Sequence, residues 1–219
     1  MVIRLTAGVI LLLGIGVIAA VVLGGDPDPT SETAAATPAT SEPGASASIA
    51  PPSSASSTIA EPENYGPRKA LVNLDGWLNT SVTSLDDLDG KVVLVEMWTF
   101  GCFNCKARIP HNQELYAALP REEFEIVGVH APEFAYEAEV ANIEEAINTL
   151  GVTWPVALDT NKENFRAWQE GGRRFWPRAY VIDQNGDVRF DHIGEGKYDE
   201  LEETITYLLD NPPAPTDAS

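Results

Sequence analysis

The 219-residue chain carries 14 Lys and Arg against 33 Asp and Glu, a formal net charge of −19. So acidic a chain repels a phosphate backbone, and without a basic, aromatic-interleaved patch it excludes nucleic acid as a partner. The length allows one good-sized domain with appendages, and two cysteines in all fit a working pair better than a structural framework.

Leu5 to Leu23, preceded by Arg4, contains no charge and no strongly polar group. The run approaches the roughly 20 residues that cross a bilayer as a helix. It is longer than an ordinary signal-peptide core, and Ile18-Ala19-Ala20 is a poor small-x-small cleavage site. Residues 1–25 therefore read as an uncleaved anchor, with a cleaved signal as the alternative. Arg4 on the short side, against an acidic long side, puts the bulk of the chain outside the cytoplasm as a single-pass cell-membrane protein. Residues 26–63 are rich in Ala, Ser, Thr and Pro and cannot bury enough apolar surface to fold. They read as a linker reaching roughly 35 Å as a flexible coil.

From Asn64 the composition turns globular, and residues 64–210 read as one domain followed by a polar tail over 211–219. Leu71 to Leu74, the turn Asp75-Gly76 and Trp77 to Asn79 suggest a short hairpin. Val92 to Val95 is the β-branched run of a strand buried on both faces. Glu96 ends that run, Trp98 follows, and the only cysteines come next in Cys102-Phe103-Asn104-Cys105. A helix is expected from Cys102 to Leu119, interrupted at Pro110. Glu125–His130 reads as a second buried strand, Phe134–Leu150 as a helix, Val152–Asp159 as a third strand and Lys162–Glu170 as a short helix. Phe175-Trp176-Pro177 leads into a hairpin, Ala179–Asp183 and Val188–Ile193, about the turn Asn185-Gly186. Tyr198–Leu209 is a closing amphipathic helix. Alternating strands and helices call for right-handed crossovers and an α/β sheet covered on both faces.

Cys-x-x-Cys at the first turn of a helix, after a buried strand, has a mechanism. Free N–H groups and the positive end of the helix dipole favour a thiolate at Cys102. Cys105, about one turn on, is close enough to attack a mixed disulfide formed there. A zinc site fits less well, because His111, His130 and His192 show no paired spacing that would complete one. A structural disulfide over so small a loop gains little chain entropy, and inert thiols suit the strand-to-helix setting poorly. Glu96 puts a carboxylate on a buried strand, costly unless paired, with no basic residue close in sequence. It is expected to exchange a proton with Cys105.

The stretch Glu96 to Pro110 resembles the thioredoxin superfamily. Within it, the chain is most similar to the extracytoplasmic TlpA/ResA-like redoxins of AhpC/TSA type and the thioredoxin-like domain of DipZ-type proteins. Gly101 and Phe103-Asn104 depart from thioredoxin itself. The resemblance implies a thioredoxin-like fold: a central mixed β-sheet with helices on both faces, an extra N-terminal hairpin and a central helical insertion. It implies a buried acid at Glu96, a nucleophile at Cys102, a resolving cysteine at Cys105 and a cis-proline at Pro177 facing the dithiol. Trp98, Phe103, Asn104 and Trp176 become candidate substrate contacts, Trp176 lending backbone groups to an extended peptide. The implied activity is that of a thiol:disulfide oxidoreductase with no cofactor or metal beyond a redox-active Cys102–Cys105 disulfide. Its partners would be protein disulfides or dithiols and a membrane electron donor or acceptor.

A peroxiredoxin-type peroxidase shares this scaffold, and Thr99 lies three residues before Cys102 as a peroxidatic threonine would. Val95, however, stands where the peroxiredoxin motif has proline, and so near a resolving cysteine is unlike most of that group. A non-catalytic binding module on the same fold is the third alternative. His130-Ala-Pro-Glu-Phe134 resembles a stretch of the DipZ-type branch.

Overall fold

Among the described residues six strands make one sheet: β1 (Gly76–Leu78), β2 (Val92–Trp98), β3 (Phe124–His130), β4 (Val156–Leu158), β5 (Arg178–Ile182) and β6 (Val188–Ile193). Their order is β1-β4-β3-β2-β5-β6, with β2, β3 and β4 parallel and β1, β5 and β6 antiparallel to their neighbours. Among the described residues four helices, α1 (Phe103–Ala118), α2 (Val140–Leu150), α3 (Glu163–Trp168) and α4 (Tyr198–Asp210), give the expected α/β architecture. This is a computed structural model, and it describes residues 59–213. The expected anchor, most of the expected linker and residues 214–219 lie outside that range. Among the described residues no helix is long and apolar enough to cross a membrane.

Every residue of β2 and β3 is buried, the polar Glu96, Glu125 and His130 among them, as expected of largely apolar strands covered on both faces. Alternation along β2 then decides what each side chain meets. Val92, Leu94 and Trp98 face Ile109 of α1, Ile143 and Ile147 of α2, and Ile205 of α4. Val93, Val95 and Met97 face Phe165 and Trp168 of α3, together with Leu85 and Leu88 of a 3-10 turn. Glu96 falls in the first set, pointing at α1.

The register places the C-terminal end of β2 at a meeting point. Trp98 pairs with His130 at the end of β3, and Met97 pairs with Arg178 at the start of β5. Extending the second pairing by one residue sets Pro177 beside Trp98. The loops after parallel strands gather at this end, where an open α/β sheet presents its working groups.

Three local expectations are corrected. The N-terminal hairpin does not form: Gly76–Leu78 pairs with β4 instead, and Leu71–Leu74 joins no strand. The main chain of Val72 is taken by the Asn164 side chain, which accepts from Val72 N–H and donates to its carbonyl, both at 2.8 Å. The helix expected over Phe134–Leu150 is split into a 3-10 helix, Ala135–Ala138, and α2, which stops at Gly151 in the left-handed conformation (φ 67). The strand β4 is shorter than expected and begins only after Pro155, which has no N–H to give a ladder. Residues 59–63, the end of the expected linker, lie along β6, where Arg189 bonds the carbonyl oxygens of Pro62 (2.8 Å) and Glu63 (3.2 Å).

Candidate active site

Cys102 caps the N-terminus of α1. Its Sγ accepts the Cys105 N–H at 3.3 Å, doing what a serine or aspartate cap does elsewhere. Cys102 is half-buried and Cys105 buried, and both are free thiols. The Cys102 thiol is lowered from 9.0 to about 7, chiefly by its hydrogen bond with the Cys105 thiol; the Cys105 and Asn104 N–H groups help, while desolvation and Glu133 oppose. Burial, first, and the hydrogen bond to Cys102, second, push Cys105 far above its ordinary value, and the nearby Glu96 adds to that rise. Two thiols three residues apart are thus driven in opposite directions.

Helical spacing carries Cys105, Arg108, Ile109 and Asn112 onto one face of α1, and all four are buried. Two of them are polar, and both turn to Glu96. Arg108 Nε donates to Glu96 Oε1 at 2.6 Å, and Asn112 Nδ2 donates to Glu96 Oε2. Arg108 Nη1 donates to the Gly196 carbonyl at 3.1 Å, and the guanidinium lies 5.2 Å from the Tyr198 ring centroid. Glu96 is therefore buried, as expected, but the expectation of an unpaired carboxylate is corrected. Its base stands twelve residues on, brought back by the turn into α1. Sequence reasoning missed Arg108 and Asn112. The readable signal was two polar residues, three and seven after Cys105, on the apolar side of the helix.

Trp98 is corrected as a candidate substrate contact. It is buried, with its ring edge-on to His130 at 5.4 Å and 89°. Phe103 and Asn104 are exposed beside Cys102, and Phe103 leaves 81% of its surface in water. The Trp176–Pro177 peptide is cis, Pro177 is buried, and its carbonyl accepts from Gly194 N–H at 2.8 Å. The Trp176 indole is half-buried and committed: its N–H donates to Ala131 O at 2.8 Å and its ring stacks on Phe165 at 4.1 Å. Thr99 is buried with its hydroxyl 3.3 Å from His130 Nε2, turned to the imidazole. Burial lowers His130 to about 4, against the pull of Glu137.

Residues 67–191, more than half of the chain, match the AhpC/TSA family. DipZ of Mycobacterium bovis is 37% identical over 155 residues, which are 69% of this chain and 22% of DipZ, so the chain spans about a fifth of that relative. The thiol-disulfide oxidoreductase ResA of Oceanobacillus iheyensis is 31% identical over 132 residues, 60% of this chain and 65% of ResA. Among solved structures, a thioredoxin-like superfamily protein superposes with a TM-score of 0.61 at 25% identity, covering 68% of this chain and 99% of the other. The sheet and helices around the dithiol are those of a thioredoxin-like fold, and the chain belongs to the AhpC/TSA family within the thioredoxin superfamily.

Proposed function

We propose that the chain exchanges disulfides with protein substrates through Cys102 and Cys105, as a membrane-tethered thiol:disulfide oxidoreductase acting outside the cytoplasm. The observation that carries this is the opposite treatment of the two thiols, Cys102 lowered to about 7 at a helix N-terminus and Cys105 raised in the interior. A purely structural pair needs no such division. The relationship to ResA, a thiol-disulfide oxidoreductase by name, supports the same chemistry.

In the reducing direction the Cys102 thiolate attacks a substrate disulfide RS–SR′. A Cys102–S–S–R bond forms, and R′S⁻ leaves and takes a proton from solvent. Cys105 then gives its proton to Glu96, and its sulfur attacks the Cys102 sulfur. The Cys102–Cys105 disulfide forms, RS⁻ leaves and takes a proton from solvent, Glu96 releases to solvent the proton it received, and the substrate has gained the two electrons that the dithiol lost. Glu96 can take part because each carboxylate oxygen keeps an acceptor site beyond the bonds to Arg108 and Asn112. The reverse sequence oxidises a substrate dithiol. Phe103 offers an exposed apolar ring beside the nucleophile, Asn104 an exposed carboxamide, and Pro177 with the Trp176 backbone an edge for an extended peptide.

The tether would be Leu5–Leu23, whose uncharged length supports it, with a membrane electron donor or acceptor keeping the dithiol in turnover. A peroxidase is disfavoured by Thr99, whose hydroxyl is engaged with His130. The test sets insulin and glutathione disulfide reduction beside peroxide consumption, using the chain and its Cys102→Ser variant. Disulfide reduction that depends on Cys102 and outpaces peroxide consumption is expected. Faster peroxide consumption, or reduction that survives the loss of Cys102, sinks the proposal.

A further inference from the structure

The insertion between β3 and α2 lays its 3-10 helix, Ala135–Ala138, against the turn that carries the dithiol. Glu137 in that helix is fully buried. Its Oε2 accepts from the N–H groups of Glu133 (2.6 Å) and Phe134 (3.0 Å). Its Oε1 has no hydrogen-bond partner among the described residues. That oxygen lies against Gly101, the residue before Cys102. A β-carbon at position 101 would collide with Glu137 Oε1 and come within 3.0 Å of the Tyr136 hydroxyl. Gly101 does not adopt the left-handed φ that demands glycine. The absent side chain, rather than a special backbone, is what this contact uses.

A second buried side chain holds the same turn. His130, also fully buried, places Nε2 3.3 Å from Thr99 Oγ1 and stacks its ring on Phe100 at 5.5 Å and 21°. The Thr99 carbonyl accepts the Cys102 N–H at 3.3 Å, so whatever fixes the turn from Thr99 to Gly101 fixes Cys102. The two N–H groups account for one carboxylate oxygen, but the second, buried without a partner against the dithiol turn, is unfavourable. A role at the neighbouring thiol accounts for it.

We propose that Glu137 is a positioning residue for the nucleophile: its carboxylate, seated in the space that Gly101 leaves open, holds the Thr99–Gly101 turn and sets a negative charge beside Cys102. A like charge works against the thiolate, so the insertion restrains how readily Cys102 ionises. The other groups facing Cys102 are Cys105 from α1 and Glu133 from the loop after β3, with Lys106 lining the adjacent groove beside Phe100 and Tyr136. His130 and Tyr136 are the titratable groups facing Glu137.

The inference rests on Cys102 being the nucleophile, but its test reads the thiol directly, whether or not the chain turns over a disulfide. In the full chain, Glu137→Gln keeps the side-chain length and an acceptor for both N–H groups while removing the charge. The pH midpoint of Cys102 alkylation by iodoacetamide should fall by about half a unit, roughly threefold more thiolate at a given pH below it. A merely structural glutamate leaves that midpoint in place. Gly101→Ala, which forces the carboxylate out of that space, should lower the same midpoint, and adding Glu137→Gln should lower it no further. If Glu137→Gln fails to fold, Gly101→Ala decides alone. An unchanged midpoint in Glu137→Gln or in Gly101→Ala overturns the assignment.

Discussion

The Glu96 carboxylate and the Arg108 guanidinium meet at 2.6 Å with 6% and 0% of their side chains exposed, joining β2 to the helix that carries the dithiol. Such a pair balances a large desolvation penalty against its own attraction, so its net contribution is small, but removing one partner strands the other. An unpaired Glu96 could be replaced by an apolar residue at no loss of stability, whereas the observed pairing reverses that expectation. Glu96→Leu should destabilise the fold by roughly 3–5 kcal/mol, and Glu96→Leu with Arg108→Leu should recover most of the loss. Denaturant midpoints of the two variants measure it. A single variant as stable as the parent contradicts a buried ion pair.

The two thiols should separate in a titration of reactivity. Only thiolate alkylates, so with Cys102 at about 7 its labelling should rise with pH through 7. At pH 6 about a tenth of it is thiolate. Cys105, pushed the other way by burial, should stay unlabelled up to about pH 9 in the folded chain and react once denatured. Peptide mapping by mass after timed iodoacetamide pulses reads both sites. Equal labelling of the two cysteines in the folded chain contradicts the asymmetry.

The same asymmetry assigns the order of attack. With Cys102 half-buried at the helix N-terminus and Cys105 buried within the first turn, only Cys102 can reach a substrate sulfur. Cys105→Ser should therefore accumulate mixed disulfides with substrate, visible as non-reducing gel bands that dithiothreitol removes. Cys102→Ser should accumulate none. The opposite pattern assigns the nucleophile to Cys105.

The parts of this molecule that were legible in the sequence are those set by short-range pattern. The apolar run Val92–Val95, the turn Asn185-Gly186 and the strand-to-helix placement of Cys102 all appear where local composition puts them. What escaped was decided by residues distant along the chain. Gly76–Leu78 pairs with β4 rather than with its neighbours because Asn164, far along the chain, takes the main chain of Val72. Arg108 reaches Glu96 only once α1 has folded back across β2. Glu137 looked like one more acid in a helical stretch; its burial depends on an insertion closing over a glycine. Trp98 was named through the resemblance, but it lies on the same face of β2 as Glu96 and is buried there, edge-on to His130.

The placement of the domain outside the cell can be tested with two proteases of different specificity. Between Arg4 and Arg68 the chain contains no Lys or Arg, so trypsin has no site in the proposed linker. Its first site beyond, Arg68, is bonded to Asp86 and Asp89 at 2.7 and 2.9 Å. The chain is already held ahead of it, through Arg189 to Glu61 at 3.1 Å and the Tyr65 N–H to the Val188 carbonyl at 2.8 Å. Elastase, which cuts after small residues, has many Ala and Ser sites upstream of Ile59. On intact protoplasts elastase should release a fragment that begins ahead of Ile59, and trypsin under the same conditions should release little or none. A signal that is cleaved would instead put the chain in the medium before any protease is added. Protection from elastase until the cells are lysed places the domain inside, and retires the external assignment.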